Sequence, residues 1–188
     1  MKIEEIYERA IAIMSRPGET WETIRTENGH AVQVLKGYLL PFSLLIGATS
    51  LFGQVMFGTG IGTWAGIADV TATVLFSFFT PLLLVFSLFM LSYLLGDFFG
   101  GTAKPGHHIV WFSYAFTPLY LADTFSSLHW TFSWMMVFGL YSSYLLWTGI
   151  PYMCGIPAGK RFPFFVMILL LTCLSLILFY WLAPSLLL

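Results

Sequence analysis

Three aspartates and two adjoining histidines carry nearly all the chemistry that the middle of this chain can do. Between Lys36 and Lys160 the only charged residues are Asp69, Asp97, Lys104 and Asp123, and the histidines there are His107, His108 and His129. Asp97, His107 and His108 flank a glycine-rich stretch that can bring them together. Carboxylate and imidazole are competent ligands for zinc or a similar divalent ion, and they can also pass protons. Their spacing matches no standard metal motif, and residues 107 and 108 point about 100° apart on a helix, so one of the two faces Asp97. The alternative is a helix-end carboxylate with interfacial histidines exposed to water. Asp123 stands alone in an apolar run, where an ionisable group is a functional suspect by default. Its expected surroundings are a hydrated interface beside His129 or a buried site shared with Ser142, Ser143 or Tyr144. Asp97, His107, His108 and Asp123 thus form the candidate set for binding an ion or solute. No metal centre, cofactor or catalytic group is assigned. No Ser-His-Asp order, paired glutamates or Cys-His arrangement converges on one face, so a non-enzymatic protein is expected.

The elements that must position these groups follow from composition. Of 188 residues, 58% are apolar and 9% charged, whereas soluble domains carry about 25% charged residues. The apolar residues form long blocks, which excludes a water-soluble globule, a disordered chain and a disulfide scaffold. Cys154 and Cys173 are separated by roughly 28 Å of helical rise and are not expected to pair. An integral membrane bundle remains. About 20 apolar residues cross a hydrocarbon core, which predicts five transmembrane helices at 35–57, 70–96, 108–126, 131–150 and 163–186. Asp123 lies about 15 residues into the third, roughly 20 Å from its inner end. Pro41, Pro81, Pro118 and Pro184 fall in or beside spans, and Pro81 and Pro118 should find compensation from neighbouring helices or from Ser77 and Tyr114.

Orientation comes from the basic residues, which stay in the cytoplasm when they lie in short loops. Lys2, Arg9, Arg16, Arg25 and Lys36 precede the first span, Lys104 lies between the second and third, and Lys160 and Arg161 lie between the fourth and fifth. All eight fall on one side of a five-span chain. The N-terminus is therefore expected in the cytoplasm and the C-terminus outside. The segment Gly58-Thr59-Gly60-Ile61-Gly62-Thr63 superficially suggests a phosphate cradle, but no strand precedes it and no Lys-Ser/Thr follows it, so a connector is expected. The tryptophans and tyrosines of the later spans read as interfacial belts plus packing.

Residues 1–34 read as a separate cytoplasmic or interfacial segment ahead of the membrane domain at 35–188. Ile3, Ile6, Tyr7, Ala10, Ile11 and Met14 recur at helical spacing, with Glu4, Glu5, Glu8 and Arg9 on the other faces. That pattern predicts an amphipathic helix of about three turns. Glu4, Glu5 and Glu8 also interrupt any continuous apolar stretch, so no cleavable signal peptide is expected. Pro17, Glu19 and Glu22 suit the start of a second short helix, with Trp21 and Ile24 on one side and Trp21 at the headgroup level.

Pro17-Gly18-Glu19-Thr20-Trp21-Glu22-Thr23-Ile24 resembles the proline, tryptophan and isoleucine signature that opens prokaryotic members of the Yip1 family. Gly100-Gly101 and Tyr114-Ala115-Phe116-Thr117-Pro118 look like that family's glycine loop and Tyr-x-x-x-Pro element. The resemblance implies a five-span membrane protein in which Pro17, Trp21, Ile24, Gly100, Gly101, Tyr114 and Pro118 are motif residues. Eukaryotic relatives work in vesicle traffic and associate with Rab-type GTPases. The Asp-Leu-Tyr-Gly-Pro stretch typical of their cytoplasmic region is absent here, so a GTPase partner is not carried over. The expected partners are the lipid bilayer and a protein at the cytoplasmic face, without nucleic acid, in a prokaryotic inner membrane. A scaffold or interaction role is the first expectation, and a small transporter or channel for an ion or lipid-like solute is the alternative.

Overall fold

The computed structural model describes residues 3–27, 31–58 and 64–187. Their regular elements are all helical: α1 (Ile3–Ser15), α2 (Pro17–Thr26), α3 (Ala31–Phe57), α4 (Trp64–Phe99), α5 (Pro105–Ala115), α6 (Thr117–Ser126), α7 (Tyr141–Met153) and α8 (Arg161–Leu187). A tight helix with three residues per turn, Trp130–Leu140, joins α6 to α7, and a single such turn, Ala158–Lys160, precedes α8. Most of the glycine-rich connector after Gly58 lies outside the described residues.

Among the described residues, three stretches are long and apolar enough to cross a bilayer: Ala31–Phe57, Gly66–Phe99 and Ala158–Phe179. Of the five expected transmembrane helices, the third and fourth are each built from two pieces. Within 108–126 the helix breaks at Phe116, with φ −87° and ψ 8°. Pro118 has no N–H to offer the carbonyl of Tyr114 four residues earlier. The Thr117 hydroxyl donates to that carbonyl instead, at 2.7 Å. Within 131–150 the tight helix Trp130–Leu140 gives way to α7. Pro41 leaves a milder mark. It cannot donate to Gly37, and the preceding turn, Leu35–Leu39, widens so that the Leu40 N–H reaches the carbonyl of Leu35.

Small residues set how closely the helices approach. A methyl on Gly47 would lie 3.2 Å from Phe78 Cβ, so α3 and α4 are in near-backbone contact there. Farther along the same pair, Ser77 Oγ donates to Ser50 Oγ at 3.2 Å. The serine is thus engaged across the interface. Thr49 meets Ser127 at 2.7 Å, tying α3 to the end of α6. The core gathers Tyr38, Leu39 and Phe42 of α3 with Leu84 and Leu88 of α4, Trp111 and Phe112 of α5, Tyr120 of α6, Leu145 and Ile150 of α7, and Phe164 and Ile168 of α8. Trp111, Tyr114, Phe116 and Tyr120 are therefore core residues and not members of an interfacial belt, whereas Trp130 and Trp134 are exposed.

The two N-terminal helices form a hairpin closed by its own side chains. Arg9 donates to both carboxylate oxygens of Glu27 at 2.8 Å. Thr20 Oγ1 lies 3.0 Å from the carbonyl of Ala12 and 2.8 Å from that of Arg16, so it bridges the turn that Pro17 opens. The buried stripe of α1 differs from the expected one: Ala10 and Ile13 face the bundle, while Tyr7 and Ile11 are 66% and 42% exposed.

Candidate functional site

Two glycines fold the C-terminal end of α4 onto the loop after α7. Gly100 has φ +79°, a left-handed conformation that a side chain strains. Its N–H bonds the carbonyl of Asp97 at 3.1 Å and that of Gly101 bonds Gly96 at 2.7 Å, the paired closure that commonly ends a helix. A methyl on Gly101 would come within 2.9 Å of Ile156 Cδ1 and 3.0 Å of the Cys154 carbonyl. Gly155, also left-handed at φ +65°, lies against Thr102 from the other side. The glycine loop is thus a packing joint between two connections.

The first three candidate ligands differ in their surroundings. Asp97 is exposed on the last turn of α4. His108 is buried, with Nδ1 3.0 Å from Ser92 Oγ, its ring against Gly96 and edge-on to Tyr93 and Trp111. The expectation of a water-exposed His108 is corrected: Ser92 partners a ring nitrogen, and Tyr93 and Trp111 pack around the ring. His107, ahead of the expected third span, is half-buried beside Lys104, and burial first, then the lysine charge, pushes it below the ordinary value of 6.5. Among the described residues, no three His, Cys, Asp or Glu side chains are grouped to hold a metal.

Trp21 is fully buried, not resting at the headgroups as expected. Its indole N–H donates to Thr148 Oγ1 at 3.2 Å. A methyl on Gly149 would come within 2.5 Å of Trp111 Nε1 and 3.0 Å of Trp21 Cε2, so two indoles share the space that one glycine leaves open. Trp111 in turn donates to the Leu146 carbonyl at 3.2 Å. Ile24 is buried one turn after Trp21. Pro17 starts α2 at its first position, which turns Trp21 and Ile24 toward α7. An indole buries a large apolar surface and satisfies its single donor here, so this face fastens the hairpin to the bundle.

Tyr114 and Pro118 belong to a second cluster just beyond it. Tyr114 packs on Tyr38, ring centroids 4.5 Å apart, and the Tyr38 hydroxyl meets Thr117 Oγ1 at 2.6 Å. Thr117 therefore serves both the carbonyl freed by Pro118 and the phenol of α3. A model of the Yip1 domain matches residues 11–180. The chain belongs to the Yip1 family. No curated protein and no solved structure shows a significant match. Within the matched span, Pro17, Trp21 and Ile24 form the hairpin's docking face, Gly100-Gly101 the joint between two connections, and Tyr114 to Pro118 a helix break repaired by Thr117.

Asp123 lies apart from all of these, on α6 toward the Ser126–His129 connection. It is partly buried and lines two cavities, one polar and one apolar. Neither Ser142, Ser143 nor Tyr144 lines them with it. Residues that sequence reasoning missed are Tyr38, Thr117, Thr148 and Gly149. Thr117 carried a usable signal, since a hydroxyl directly before a mid-span proline is placed to serve the freed carbonyl; the other three acquire their roles only across helices.

Proposed function

We propose that this Yip1-family protein is a non-enzymatic, five-pass scaffold of a prokaryotic inner membrane whose N-terminal hairpin holds a soluble partner at the cytoplasmic face. Length supports the two broken passes. Residues 108–126 rise roughly 28 Å, and Trp130–Leu140 contributes about 22 Å with α7 adding about 20 Å, against a core of about 30 Å. The close approach of Gly101 to the Cys154–Ile156 loop at one end, and of Gly53 to the Ser127–Leu128 backbone at the other, favours alternating passes. Such an arrangement leaves every Lys and Arg on one side.

The observation that carries the proposal is the hairpin's division of labour. Ile13, Trp21 and Ile24 are buried against the bundle, while Glu4, Glu5, Glu8, Glu19 and Glu22 are exposed. Anionic lipid repels such a face, so it turns to the aqueous side and suits a basic protein surface. A role in membrane organisation, akin to the trafficking role of eukaryotic relatives, fits that arrangement. Photo-crosslinking residues placed at Glu8 and Glu22 in cells should yield a discrete protein adduct that a probe at Trp134 does not. Lipid adducts alone, or a phenotype unchanged on deleting residues 1–30, would overturn it.

A further inference from the structure

We propose that Asp123 is the head-group ligand of a built site for a membrane amphiphile bearing a primary ammonium, its tail occupying the cavity between α4, α6 and α8. Two cavities share Asp123 as a wall. One, about 470 Å³, is polar, bordered by Ser50, Gln54, Thr73, Ser77 and Ser133 among others. The second, about 400 Å³, is apolar, bordered by Pro81, Leu84, Tyr120, Leu176 and Ile177. Both volumes fall in the range of small-molecule sites, about 300–1,000 Å³. A carboxylate at the seam between a hydroxyl-rich space and a hydrocarbon-lined one matches the division within an amphiphile.

The chemistry of the head group follows from what faces Asp123. No Lys or Arg borders either cavity, and among the described residues no hydrogen bond or ion pair reaches its carboxylate. His129, at the rim of the polar cavity, has its Nδ1 occupied by Thr131 at 2.7 Å. An acid in an apolar span without a partner calls for a cationic donor. A primary ammonium supplies charge and N–H groups together, whereas a quaternary ammonium supplies charge alone. A second unmet group borders the apolar cavity: Tyr120 is buried and its hydroxyl has no hydrogen-bond partner. Ile177 is 66% exposed, so the cavity reaches the flank of the bundle, where a tail can enter from the bilayer.

No hairpin residue borders either cavity, and the site does not depend on the scaffold reading. The test uses full-length protein in detergent, offered dioleoyl phosphatidylethanolamine, phosphatidylcholine or phosphatidylglycerol in turn, with retained lipid counted by native mass spectrometry. The expected result is preferential retention of phosphatidylethanolamine, with Asp123→Asn lowering that retention about tenfold and equalising the three lipids, as loss of one charge-assisted contact requires. Ile177→Trp, which keeps the carboxylate and fills the tail space, should reduce retention of phosphatidylethanolamine without creating a preference for another lipid. If Asp123→Asn fails to fold, as judged by its elution profile, Ile177→Trp decides alone. Retention indifferent to head group in the unmodified protein, unchanged retention in folded Asp123→Asn, or unchanged retention in Ile177→Trp would each overturn the proposal.

Discussion

Truncating Trp21 to alanine should release the N-terminal hairpin while leaving the transmembrane bundle folded. Trp21 is 0% exposed, and its indole fills the space beside Gly149 and Trp111. Deleting a fully buried tryptophan costs about 3–5 kcal/mol, because both the transfer term and the residual cavity count. The lost bond to Thr148 belongs within that figure, since Thr148 keeps its own donation to the Leu145 carbonyl at 3.1 Å and is not left orphaned. What else fastens the hairpin is weaker. The Arg9–Glu27 pair is partly exposed and lies within the hairpin, so it holds α1 to α2 but not the pair to α7. Exposed ion pairs contribute about 0–1 kcal/mol in any case. Ile13, Ile24 and the donation of the Tyr141 hydroxyl to the Met14 carbonyl at 2.9 Å remain, so the population of undocked hairpin should rise roughly a hundred- to several-thousand-fold. Hydrogen exchange of residues 3–27 in nanodiscs reads this directly: amides of α2 should lose protection by roughly two to three and a half orders of magnitude, while those of α4 and α8 are unchanged. Trp21→Phe, which keeps most of the volume and loses the N–H, should lose about tenfold at most. Unaltered α2 protection in Trp21→Ala would refute the docking role, and a parallel loss throughout the bundle would show that the hairpin is not a separable unit.

Three further outcomes follow from single contacts. Gly100→Ala should destabilise the protein by about 1 kcal/mol in a denaturant melt, because φ +79° suits glycine and strains alanine. Thr117→Val keeps the shape and strands the Tyr114 carbonyl and the Tyr38 hydroxyl, so a loss of about 1–3 kcal/mol is expected in the same melt. His107 should titrate below 6.5 by NMR, and Lys104→Gln should move its midpoint back toward that value. The unfolded chain takes up this proton more readily than the folded one, so the stability His107 contributes is complete above the free-histidine range and declines as pH falls through it.

Composition and periodicity made the helical class, the apolar blocks and the N-terminal amphipathic pair legible, because each depends on which residues recur at helical spacing and how many are apolar in a row. The start of α2 at Pro17 and the end of α4 at Gly100-Gly101 were readable for the same local reason: proline suits a first turn and glycine tolerates a left-handed closure. The continuity of spans was not. Windowed hydropathy is blind to whether a carbonyl freed by Pro118 is repaired within one helix or at a break, and the break at Phe116 depends on the Thr117 hydroxyl.

Burial separates what the chain determined by itself from what tertiary structure decided. An indole at residue 21 is compatible with a bilayer interface or a protein core, and only the gap over Gly149, 128 residues later, selects the core. The serine at 92 and the rings of Tyr93 and Trp111 likewise turn His108 from an exposed histidine into a buried one. Asp123 was suspect from sequence alone because a lone acid in an apolar run is costly wherever it lies. Its place on the boundary between a polar and an apolar cavity required α3, α4 and α8 to be assembled around it, since its sequence neighbours, Ser126 to Trp130 on one cavity and Leu119 and Tyr120 on the other, supply only one side of each.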